Sequence, residues 1–85
     1  MTTSTIEAPT PVTRLIDARG SYCPGPLMEL IRTIRESDVG TVIAIRSSDR
    51  GSRIDIPKWV EKAGHRLVRI DEAFGYDEIV VEKLR

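Results

Sequence analysis

Cys23-Pro24-Gly25-Pro26-Leu27-Met28-Glu29-Leu30-Ile31-Arg32-Thr33-Ile34 is the stretch from which the rest of the chain is read. Leu27, Leu30, Ile31 and Ile34 fall at i, i+3, i+4 and i+7, which makes one apolar stripe on a helix. Proline is favoured at the first helical position, where its missing N–H leaves no hydrogen bond unmade and its fixed φ already suits the helix. Pro24 is therefore expected as the first helical residue, with Cys23 as the cap before it and the helix running to about Glu36. Met28 falls just off the stripe, within about one turn of Cys23.

Working outward, Arg19-Gly20-Ser21-Tyr22 is a loop that delivers the chain to Cys23, preceded by a short strand at Thr13 to Ala18. After the helix, Ser37-Asp38-Val39-Gly40 ends it. Thr41 to Arg46 is the clearest strand, with Ile43 and Ile45 on the side expected to meet the helices and Val42, Ala44 and Arg46 on the other. A second helix carries Ile56, Trp59, Val60 and Ala63 on one stripe. Asp55 is placed to cap its regular part, Pro57 is tolerated in a first turn, and Gly64 is placed to end it. One looser turn can begin as early as Ser52. Trp59 is expected in the core. Arg66 to Asp71 and Tyr76 to Leu84 form a final hairpin around residues 72–75, with Ile79 and Val81 pointing inward. The order is β-α-β-α-β-β. With too few elements to cover a sheet on both faces, both helices are expected on one face, an α+β fold. Residues 1–11, rich in Thr, Pro and Ser, read as a disordered tail, and 12–85 as one domain.

Composition narrows the function. Thirteen basic residues balance thirteen acidic ones, which gives no bulk support for a phosphate-neutralising surface. One cysteine cannot make an internal disulfide and fits a reducing compartment. No apolar run approaches the ~20 residues that span a bilayer, and the N-terminus lacks a signal-peptide pattern. The expectation is a cytoplasmic protein with no membrane association.

The chemistry is expected at Cys23. A thiol reacts as its thiolate, and a helix N-terminus favours that anion through its dipole and free amides. Pro24 and Pro26 donate nothing, so the amides available to a sulfur anion are those of Gly25, Leu27 and Met28. Gly25 also leaves room for another molecule, and the prolines stiffen the turn. No second cysteine supports disulfide exchange within the chain. The one histidine, His65, is not placed beside Cys23 by any pattern, and one Cys with one His at no ligand spacing makes no metal site. No cofactor is expected. A lone thiol without a base suits a covalent carrier rather than a complete catalyst.

Residues Leu15 to Pro26 resemble the "LD-x-x-G-x-x-CP-x-P" opening of the TusA/SirA-like sulfur carriers, and Asp55-Ile56-Pro57-Lys58-Trp59 is similar to that family's Asp-Ile-Pro segment. The resemblance covers residues 13–84. It implies a two-layer α/β sandwich, with two helices packed on one face of a four-stranded mixed sheet. It also implies that Cys23 accepts sulfane sulfur, as a persulfide or a thiosulfate group. The donor would be a cysteine desulfurase or rhodanese-like protein, and the acceptor a DsrE-like relay protein. Pro24, Gly25 and Pro26 would position the sulfur, with Arg19, Tyr22 and Met28 at the docking surface. Gly25 stands where the tRNA-thiolation members carry an acidic residue. Two other readings stay open. One is a nucleic-acid-binding or regulatory module of the same fold, using Arg46, Arg50, Arg53, Lys58, Lys62 and Arg66 as a basic edge, although direct nucleic-acid binding is not expected. The other is a thiol redox sensor.

Overall fold

A computed structural model of the chain describes residues 11–22 and 24–85. Six elements follow in order: β1 (Arg14–Asp17), α1 (Gly25–Arg35), β2 (Val42–Ser47), α2 (Arg50–Ala63), β3 (Arg66–Ala73) and β4 (Tyr76–Glu82). The expected tail at residues 1–11 lies, apart from Pro11, outside the described residues.

The strands form one sheet in the order β1-β2-β4-β3. β1 runs parallel to β2, because α1 carries the chain back before β2 begins; the other two pairings are antiparallel. The sheet is therefore mixed, and β2 and β4 occupy its centre. These central strands carry the most apolar sequence, and their residues Ile43, Ile45, Ile79 and Val81 are fully buried. They meet Leu30 and Ile34 of α1 and Ile56 and Val60 of α2 in one cluster, with Ile16 of β1 at its margin. Both helices thus lie on one face, as the alternation in β2 and β4 requires. Trp59 packs against this cluster but stays half-buried, and its ring sits 5.7 Å from that of His65.

The other face of the sheet is not simply polar. Val42, Ala44 and Val80 are buried there, with Val68 packed against them. Val68 is the extra residue of a register shift between Leu67 and Arg69, which turns it toward that face. Ion pairs border the patch: Arg46 with Glu78 at 3.1 Å and Arg66 with Glu82 at 2.8 Å. Long arginine stems cover apolar surface while their charged ends stay wet.

Two helix starts differ from expectation. α1 has Pro24 as its N-cap (φ −94°, ψ 16°) and Gly25 as its first residue, so the cap lies one residue later than the proline rule alone suggests. Pro26 takes a first-turn position and is buried. α2 begins at Arg50, not near Asp55. The Asp49 side chain caps it by accepting from the Ser52 N–H at 3.2 Å and from the Ser52 hydroxyl at the same distance. Pro57 consequently sits inside the helix. Asp55 looked like the cap because Pro57 reads as a first-turn residue. Tertiary packing of Ser52, which is fully buried, draws the earlier turn into the helix. Gly64 ends α2 in the left-handed region at φ 84°, as expected.

Candidate functional site

β1 and β2 are parallel, so their C-terminal ends lie at the same edge of the sandwich. The loop Ala18–Tyr22 leaves β1 there and leads to α1, while Ser48 and Asp49 leave β2 beside it and lead to α2. The loop's last described residue, Tyr22, leads toward Pro24-Gly25-Pro26 at the start of α1. Cys23 itself lies outside the described residues, and the site is built from its neighbours on both sides.

Four amides of the lead-in loop, those of Ala18 to Ser21, have partners. The Ala18 N–H donates to the Arg46 carbonyl at 2.9 Å, extending the β1–β2 ladder by one bond. The Arg19 N–H donates to Asp17 Oδ1 at 3.3 Å. The Gly20 N–H donates to Ser48 Oγ at 3.0 Å, and the Ser21 N–H to the Ala18 carbonyl at 3.1 Å. Gly20 adopts φ 90°, a left-handed conformation that a side chain would strain.

The side chains of this loop are tied as well. Arg19 makes a two-pronged pair with Asp17, Nε to Oδ1 and Nη2 to Oδ2, both at 2.8 Å. Those hydrogen bonds, from the guanidinium first and then from the Arg19 backbone, hold the Asp17 carboxyl down at about 2. The Arg19 guanidinium lies 5.0 Å from the centre of the Tyr76 ring, and that of Arg46 lies 5.6 Å from it. Tyr76 at the start of β4 thereby joins the loop to the two central strands.

On the far side of the turn, two of the three amides expected to face a sulfur anion are committed elsewhere. The Gly25 N–H donates to the Tyr22 carbonyl at 2.7 Å, and the Met28 N–H to the Pro24 carbonyl at 2.9 Å. Gly25 is exposed, and among the described residues a Cβ built on it meets the Ser21 Cβ, at 3.6 Å. Tyr22 is 78% exposed and Met28 62%, so both large side chains stand in solvent beside the turn. Met28 and Ile31 line an open groove of about 600 Å³ on the outer side of α1, with Gly25 at one end and Arg32 and Arg35 at the other. Tyr22, Met28 and Gly25 are thus brought together around one surface. Arg19 shares that edge, but its guanidinium is engaged by Asp17 and Tyr76.

His65 is held far from this edge. Its Nδ1 accepts from the Leu84 N–H at 3.2 Å, and the neighbouring Lys83 N–H donates to the Thr41 carbonyl, just before β2 begins. The six residues of β2 separate the two ends by roughly 20 Å. The described residues on both sides of Cys23 therefore lie at the opposite end of β2 from His65. Burial, then the charges of Lys83 and Arg85, push the His65 pKa down.

Three of the six residues of the candidate basic edge are held in ion pairs. Arg46 pairs with Glu78, Arg66 with Glu82, and Arg53 with both Glu72 and Asp77. Sequence reading missed Asp17, Ser48 and Tyr76 as parts of the site. Asp17 lay inside a motif whose cysteine drew attention, and Ser48 and Tyr76 are distant in sequence. No helix among the described residues is long and apolar enough to cross a membrane.

The fold and this edge define a class: a small α+β sandwich that holds a Cys-Pro-x-Pro turn at the head of its first helix, with exposed side chains around it. Comparison with known proteins agrees. Residues 14–83 match the family model described as sulfurtransferase TusA. A putative sulfur carrier protein of Archaeoglobus fulgidus is 55% identical over 71 residues, covering 84% of this chain and 97% of that protein. The sulfur carrier protein TusA of Pseudomonas paraeruginosa is 37% identical over 65 residues, covering 76% and 82% respectively. The crystal structure of a SirA-like protein from Desulfitobacterium hafniense superposes with a TM-score of 0.76 at 23% identity, over 86% of this chain and all of that one. The chain belongs to the TusA family of sulfur carriers, whose members relay sulfur between partner proteins.

Proposed function

We propose that Cys23 carries sulfane sulfur between two protein partners in the cytoplasm. The observation that carries this reading is the family match over residues 14–83, which spans the Cys-Pro-Gly-Pro turn. In loading, the Cys23 thiolate attacks the outer sulfur of a donor's cysteine persulfide. A new S–S bond forms at Cys23, the donor's S–S bond breaks, and the donor departs as a thiolate. In unloading, an acceptor thiolate attacks the outer sulfur of the Cys23 persulfide, and Cys23 leaves as its thiolate. Neither half needs a cofactor or a net oxidant, because the sulfane sulfur keeps its oxidation state throughout. Such transfer needs a sulfur that two different proteins can reach in turn.

The exposed surroundings support that requirement. Gly25 offers no side chain to an approaching partner, while Tyr22 and Met28 offer large adaptable surfaces on either side. Arg19 adds its outer edge to the same docking surface, and Pro24 and Pro26 limit the turn's freedom. The donor is a cysteine desulfurase or a rhodanese-like protein, and the acceptor a DsrE-like relay protein. The test is incubation with a desulfurase and cysteine, or with a small sulfane donor, followed by intact-mass measurement. One reductant-labile sulfur per chain is expected on the wild type and none on Cys23→Ser. Equal labile sulfur on both proteins refutes the reading.

A further inference from the structure

We propose that Asp17 and Ser48 are positioning residues for sulfur transfer, holding the loop that presents Cys23. The proposal rests on the carrier reading only in taking Cys23 as the reacting residue. It follows from where the amides of Ala18, Arg19, Gly20 and Ser21 go. Two of them, Ala18 and Ser21, bond to backbone carbonyls, and such bonds survive any side-chain change. The other two, Arg19 and Gly20, depend on single side-chain oxygens, Asp17 Oδ1 and Ser48 Oγ.

These two acceptors act from opposite directions. Asp17 is the last residue of β1 and clamps the loop from its own strand, using the same carboxylate to hold the Arg19 guanidinium against Tyr76. Ser48 follows β2 and reaches across from a neighbouring connection, 28 residues away in sequence. Gly20 needs such a tether. Its φ is 90°, and among the described residues nothing lies within 4 Å of where a Cβ would sit. Ser48 also precedes Asp49, the N-cap of α2. The hydroxyl therefore fixes the loop to the rigid start of a helix whose own first turn is capped. Both Asp17 and Ser48 are exposed and contribute nothing to the apolar core. Their place in the fold is accounted for by the loop and not by packing. The Asp17–Arg19 ion pair and the Arg19–Tyr76 ring contact tie the loop to β1 and β4, and the Ser48 bond ties it to the connection between β2 and α2.

The test compares Ser48→Ala, Ser48→Thr and Asp17→Asn with the wild type by two readouts. The first is amide hydrogen exchange at Gly20, where loss of one hydrogen bond speeds exchange by about three- to tenfold in Ser48→Ala. The second is the rate of alkylation of the single thiol as a function of pH, which a purely structural role would leave untouched. A thiol is activated at a helix N-terminus, and a loop released from its tether delivers the chain there less often. The rate at pH 7 then falls about two- to fivefold in Ser48→Ala; in Asp17→Asn, where the lost charge by itself favours a thiolate, the readout is exchange at the Arg19 amide, which quickens as its charged acceptor becomes a neutral one. Ser48→Thr keeps the hydroxyl and restores the wild-type profile. Unchanged or faster alkylation in Ser48→Ala overturns the proposal, as does a Thr variant that behaves like Ala, or unchanged exchange at the Arg19 amide in Asp17→Asn. Alkylation needs no sulfur donor. A wild type that takes up no labile sulfur therefore refutes the carrier reading and leaves this comparison intact.

Discussion

Replacing Gly25 by glutamate separates stability from reactivity at one position. Gly25 is the first residue of α1, is exposed, and has φ outside the left-handed region. A Cβ there makes an ordinary contact, 3.6 Å from the Ser21 Cβ, and the Gly25 N–H keeps its bond to Tyr22. Nothing among the described residues therefore opposes a side chain. Removing a glycine from a compatible position reduces the freedom of the unfolded chain, a gain of about 0.4–1 kcal/mol. The first turn of α1 has no acidic residue, so a carboxylate beside the helix N-terminus adds about 0.3–1 kcal/mol. Together they raise stability by about 1 kcal/mol, which for a domain of this size raises Tm by about 4–8 °C. The same charge acts against the chemistry. A carboxylate two residues from Cys23 disfavours a second anion, so the thiol pKa rises and alkylation at neutral pH slows. Gly25→Ala is the control, since it keeps the entropic gain without the charge. Thermal unfolding and alkylation kinetics on the three proteins measure both effects. A Tm below wild type in Gly25→Ala would refute the reasoning, because it would mean that the turn needs glycine's backbone. A thiol that alkylates faster in Gly25→Glu than in Gly25→Ala would refute the electrostatic half.

Other expectations follow from the packing and the charges. Leu30 is fully buried between α1 and the sheet, so Leu30→Ala costs about 2–5 kcal/mol, measured by urea unfolding. Lys83 Nζ donates to the carbonyls of Ile34 and Ser37 at 2.7 and 2.6 Å, closing the C-terminal end of α1. Lys83→Met keeps the stem but loses both bonds, at a cost of about 1–2 kcal/mol given its partial exposure. His65 has a folded-state pKa below its unfolded value, so the unfolded chain takes the proton first as pH falls. The stability it contributes is complete above about pH 6.5 and is lost as pH falls through the folded value, while His65→Gln flattens that segment of a urea-midpoint profile.

Much of the architecture was legible along the chain. The stripes Leu30–Ile34 and Ile56–Val60 and the alternation around Ile43 and Ile79 carry their own periodicities, and periodic burial is a local signal. Helix starts were less legible. Pro24 and Pro57 both suit a first turn, yet Pro24 is a cap and Pro57 lies inside α2. A proline rule reports which conformations are allowed, whereas packing of Ser52 and capping by Asp49 choose among them. The bulge at Val68 and the buried face beneath it left no mark in the sequence, because a register shift depends on the partner strand.

By itself the sequence determined the element order, the apolar faces and the Cys-Pro-Gly-Pro turn at the head of the first helix, since each depends on residues close together in the chain. Only the tertiary structure decided what surrounds that turn. The parallel pairing of β1 with β2 brings Ser48 to Gly20, and the antiparallel pairing of β4 with β2 brings Tyr76 to Arg19. The same pairings send His65 to the opposite end of the sheet. These neighbours are set by which strand lies beside which, and strand order is a property of the whole folded chain.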